Sequence, residues 1–98
     1  MKKLHFAVKL LSPRTTFPGD MTTEEHAIMQ QHVAYNKSFL DEGIILVYGP
    51  VMDPAGVYGL GIFEVDDEEQ VKTILNGDPA STIARYEYYP MMAVTPEK

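Results

Sequence analysis

The apolar residues of this chain repeat with two periods, and the order in which those periods alternate leaves few folds open. Leu4, Phe6, Val8 and Leu10 alternate with Lys3, His5, Ala7 and Lys9, which is the period-two pattern of a strand with one apolar face. Thr22 with Glu25 forms a capping-box signature, and the helix it opens is expected to reach about Glu42, where Gly43 supplies a left-handed stop. On that helix Ile28, His32, Tyr35 and Phe39 share one face. Ile44 to Met52 is apolar on both faces and reads as a buried strand. Asp53-Pro54-Ala55-Gly56 then has the residue order of a type I turn, and Val57 to Val65 returns as the second arm of a hairpin. Asp66 and Glu69 repeat the capping pattern before a short helix carrying Val71, Ile74 and Leu75, which Asn76-Gly77 ends. Ala84 to Val94 is the last strand, and Pro90 within it argues for a sheet edge.

The order is β-α-β-β-α-β. Two crossover helices on one face of a four-stranded antiparallel sheet give an α+β, ferredoxin-like fold, with residues 1–98 expected to form a single domain. The segments around Ile44 to Tyr48 and Tyr86 to Met92 carry apolar or aromatic side chains on both faces, but helices cover only one. A second copy is the simplest cover, so a homodimer is expected. A monomer of this size would bury only roughly 60–65% of its unfolded surface, which also favours association.

Composition narrows function mainly by exclusion. There is no cysteine, which rules out disulfides, thiolate metal sites and cysteine nucleophiles and suits a cytoplasmic setting. The net charge of −6 with eight scattered Lys and Arg residues argues against a nucleic-acid partner. No apolar run approaches the ~20 residues of a membrane helix, so no membrane role is expected. No two histidines have metal-ligand spacing, and no metal or other cofactor is expected. Gly56, Gly59 and Gly61 fall in a hairpin and its returning strand rather than before a helix. They bring backbones close or leave room for a ligand, and do not form a phosphate loop.

The run from Arg14 through Phe17-Pro18 and Asp20-Met21-Thr22, then His32-Val33-Ala34-Tyr35, Gly49-Pro50-Val51-Met52-Asp53-Pro54 and Asp78-Pro79, resembles the YciI-like (YCII-related) family. That resemblance covers nearly the whole chain and implies a dimeric α/β-barrel in which two sheets face one another. It also implies a site built on His32 and Asp78. Most of the family has no assigned reaction, and barrel relatives include a lactone dehalogenase and muconolactone-isomerase-like enzymes.

His32 can be read as a core histidine with satisfied nitrogens, or as a general base oriented by Asp78. Asp78 before a proline is equally an ordinary cap. Arg14 stands in a connection long for its place, either as a surface charge or as a clamp for a carboxylate substrate. Tyr35 shares the His32 face and lines either core or pocket. His5 is expected on the polar face of the first strand, and His26 in solvent. The leading functional expectation is a small cofactor-free enzyme moving a proton through His32 on a compact lactone- or enol-like substrate. The alternative is a small-ligand-binding or interaction module without chemistry.

Overall fold

The structure is a computed structural model and describes residues 3–96. Strand β1 (Leu4–Leu11) leads through a one-turn helix α1 (Phe17–Asp20) to the long helix α2 (Thr23–Asp41). Strands β2 (Ile45–Val51) and β3 (Tyr58–Val65) form a hairpin, followed by helix α3 (Glu68–Gly77), a 3-10 turn (Pro79–Thr82) and strand β4 (Arg85–Met91). All pairings are antiparallel and the sheet order is β2-β3-β1-β4, which is the ferredoxin-like arrangement. No helix among the described residues is long and apolar enough to cross a membrane.

Local chemistry sets the boundaries. Thr22 accepts from the Glu25 amide while the Glu25 carboxylate accepts from the Thr22 amide, so both halves of the capping box form. Gly43 closes α2 at φ 80°, a left-handed conformation. At α3 the cap lies one residue later than the Asp66/Glu69 reading. Asp67 accepts from the Gln70 amide, and Gln70 reaches back to the Asp66 amide. Asp67 has the extended backbone of a cap, at φ −156° and ψ 171°.

The core lies between the sheet and the helices and is built from Phe6, Val8, Ile45, Phe63, Val65, Val71, Ile74 and Leu75. Strand β2 departs from the buried reading. It is an edge strand with a register shift between Ile45 and Val47, so Ile45 and Tyr48 both pack toward the core although three positions apart. That bulge accounts for its apolar appearance in both phases, and Leu46 and Val47 remain exposed. Strand β4 is the other edge, and Pro90 sits there opposite Phe6, where its missing N–H costs no ladder bond to a further strand. The strand stops at Met91 rather than Val94, and Met92 and Val94 lie exposed beyond it.

The hairpin turn forms as its residues require. The Gly56 amide donates to the Asp53 carbonyl at 2.9 Å, and the Asp53 carboxylate accepts from the Ala55 amide at 2.9 Å. Gly56 has φ 152°, which a branched side chain resists. Gly56→Val is expected to cost about 1 kcal/mol or more, read as a lowered melting temperature. An unchanged value would show that the turn relaxes freely.

Candidate functional site

The most buried side chains of α2 are polar. His32 is 9% exposed and Asn36 is 7% exposed, while Ile28, Tyr35 and Phe39 are only half-buried. Opposite them, Gly59 and Gly61 present no side chain on the core-facing side of β3, and they pair with Leu10 and Val8 of β1. The apolar core does not close the space between α2 and this part of the sheet. The result is a pocket of about 260 Å³ between α2 and the sheet. Leu10, Phe17, Met29, Tyr48 and Phe63 are among its apolar walls, and His32, Asn36, Asp78 and Tyr86 supply polar groups.

Those four polar residues form one network. Asp78 is 3% exposed and lies where α3 has just ended, on the extended backbone that a following proline demands. Its carboxylate faces His32 Nδ1 at 2.8 and 3.0 Å. It also accepts from the Ala80 amide at 2.9 Å, capping the 3-10 turn, and from the Tyr86 hydroxyl. Because an ionised carboxylate only accepts, Nδ1 of the neutral ring must carry the proton, and Nε2 is left with its lone pair. That lone pair meets the Asn36 amide nitrogen at 3.2 Å, one turn along the helix.

Electrostatics agree with this division of roles. Burial alone would push the Asp78 carboxyl up, but the donors from His32, Tyr86 and the Ala80 amide together outweigh it and hold the group below its ordinary value. Burial first, and then the hydrogen bond to Asp78, push the Tyr86 hydroxyl well above the usual tyrosine range. Tyr86 is therefore a fixed donor near neutrality. Among the described residues, no group of three or more His, Cys, Asp and Glu side chains is placed to hold a metal ion.

The YCII-related domain model matches residues 11–95, most of the chain. The chain belongs to the YCII-related family. A search of curated proteins returns no match. Among solved structures, the chain is similar to a protein of unknown function from Nitrosomonas europaea, at 16% identity and a TM-score of 0.48, covering 100% of this chain and 97% of that one.

Within this YCII-related chain the structure brings His32 and Asp78 together, and it keeps the other two expected site residues out of the pocket. Arg14 does not face the pocket as a carboxylate clamp. Its guanidinium donates to both Glu25 oxygens at 2.8 and 2.9 Å and to Asp20 at 2.9 Å, so its charge is already matched by two carboxylates. Those bonds raise the Arg14 pKa and hold Glu25 down at about 2, chiefly through Arg14. The connection carrying Arg14 does border the pocket, but through Ser12, Phe17 and Met21. Tyr35 is a packing residue here. Its hydroxyl donates to the Ile74 carbonyl at 2.8 Å, and its ring meets Phe39 edge-on at 5.1 Å. Gly77 leaves space for that hydroxyl, since a Cβ there would collide with it.

Asn36 and Tyr86 went unread in the sequence. A signal existed for each. Asn36 lies four residues after His32 on the same helix face, a polar interruption of an apolar stripe. Tyr86 alternates with Tyr88 on the core-facing side of β4, where a buried hydroxyl needs a partner. His5 lies on the opposite sheet face, 2.9 Å from Glu64, and His26 is exposed.

Proposed function

We propose that this protein is a cofactor-free enzyme that moves a proton on a small carbonyl compound, with His32 as the base. The observation that carries this reading is the Asp78–His32–Asn36 array on a pocket wall. A carboxylate holds Nδ1–H, and Nε2 is covered only by one amide donor at 3.2 Å, long for such a bond. A substrate carbonyl that accepts the Asn36 donor would release Nε2. The α C–H bond then breaks, its electron pair moves into the enolate, and Nε2 takes the proton. Asp78 stabilises the imidazolium, and the Asn36 amide stabilises the enolate oxygen. Where the carbonyl compound is β,γ-unsaturated, the electron pair extends into a dienolate, and returning the proton to its γ-carbon completes an isomerisation.

A second reading, a ligand-binding module without chemistry, is favoured by one feature. Both His32 nitrogens already have partners, as in a structural histidine. Incubating the protein with enolisable lactones in deuterium oxide separates the two. The enzyme reading expects protein-dependent exchange of the α-hydrogens. Binding without exchange across a lactone series would leave the module.

We also propose that two copies associate through the sheet face away from the helices. Val47 and Tyr89 on that face are 59% and 54% exposed, and Met91 is also exposed there. Sedimentation at tens of micromolar, ordinary for dimer affinities, should give a dimer, and a monomer would contradict it.

A further inference from the structure

We propose that the pocket selects an uncharged, predominantly apolar molecule whose one polar end is a carbonyl directed at the Asn36 amide beside His32. This rests on the proton-transfer reading only for the fate of the ligand, since the selection follows from the walls. Among the described residues, no Lys or Arg lines the pocket. Arg14, in the connection that borders the pocket, is paired with Asp20 and Glu25 and lies 5.4 Å from the centroid of the Phe17 ring. An anionic ligand would therefore lose its water shell without gaining a counter-charge, and would approach the Asp78 carboxylate as a like charge.

A cationic ligand fares little better. Among the described residues Asp78 is the only carboxylate lining the pocket, and its two oxygens already take His32, Tyr86 and the Ala80 amide. The remaining surface is carbon-rich. Leu10, Met29, Val33, Phe63 and Leu75 contribute to it, with Leu10 packed over Gly59 and the Phe63 ring over Gly61. A cavity of about 260 Å³ lies at the small end of ligand pockets, enough for a metabolite of one or two rings. At the polar end, Asn36 supplies the amide donor that a carbonyl needs.

The test is a matched pair of probes: a phenyl-substituted γ-lactone and the ring-opened hydroxy-carboxylate made from it, each titrated by NMR against the protein. The lactone is expected to shift pocket signals and bind ~10-fold or more tightly than the carboxylate, a difference of about 1.4 kcal/mol per tenfold. Met29→Lys, which sets a cation in the wall, is expected to reduce or reverse that preference while keeping the wild-type melting behaviour. Equal or tighter binding of the carboxylate to the wild-type protein would overturn the proposal. So would silence from both probes, as when a segment of a second copy fills the pocket. Lactone binding without deuterium exchange would remove the proton-transfer reading and leave the ligand class intact. Exchange confined to carboxylate substrates would do the opposite.

Discussion

Asp78→Ala is expected to cost about 3 kcal/mol or more of folding stability, a fall in melting temperature of roughly 12–24 °C for a domain of this size. The reason is the number of groups that one carboxylate satisfies. The His32 Nδ1–H, the Tyr86 hydroxyl and the Ala80 amide all end on it inside the fold. Alanine would leave these donors without a partner where water reaches poorly, and each orphaned group costs about 1–3 kcal/mol. The 3-10 turn would also lose its cap. The same group gives the wild-type protein an acid limit. Its folded pKa lies below its unfolded value, so the unfolded chain binds more protons in that window and stability rises with pH through it. The contribution is complete above the unfolded value of about 4 and is lost as pH falls through the folded one. Melting curves at about pH 6 and about pH 3 should therefore differ less in Asp78→Ala than in the wild type. A variant with wild-type stability would show that the network is decorative.

His32→Gln is expected to abolish α-hydrogen exchange by ~100-fold or more while the protein still folds. A glutamine amide can donate to Asp78 much as Nδ1–H does, so the carboxylate keeps a partner and the fold keeps its seam between α2 and the 3-10 turn. What glutamine lacks is a basic ring nitrogen with a lone pair to accept the proton. The comparison thus separates base from scaffold. Exchange that survives in a folded His32→Gln protein would assign the chemistry elsewhere, and collapse of the fold would make His32 structural. Asn36→Ala offers an internal control of position. Removing the amide uncovers Nε2 but takes away the enolate's donor, so binding of a carbonyl ligand should weaken along with exchange.

The fold was legible because its signals are local and redundant. The period-two run from Leu4 to Leu10, the Thr22–Glu25 box, Gly43, and the Asp53–Gly56 turn each determine a boundary through their own backbone chemistry. Errors fell where tertiary context decides. The phase of β2 depends on a bulge at Leu46 that no periodicity announces, and β4 stops where its partner β1 begins, not where its apolar residues end. The candidate site was half legible. His32 and Asp78 stand out as titratable residues in apolar company, whereas Arg14 looked available because its neutralising partners Asp20 and Glu25 carry their own helix-start explanation. The pocket itself needs two walls opposed, Gly59 and Gly61 on β3 and His32 and Asn36 on α2, an opposition that spacing along the chain does not show.

In the proposed mechanism Asp78 fixes the proton of neutral His32 on Nδ1 and leaves Nε2 as the base. Long-range proton–nitrogen NMR of the ring, recorded at about pH 8.5 so that an ordinary imidazole is neutral, reads this directly. The expected spectrum is that of the Nδ1–H form, opposite to the form that predominates in free imidazole side chains, and it should revert in Asp78→Ala if that variant folds. A wild-type ring protonated on Nε2 would contradict the account, because the nitrogen assigned to accept the substrate's proton would already be holding one.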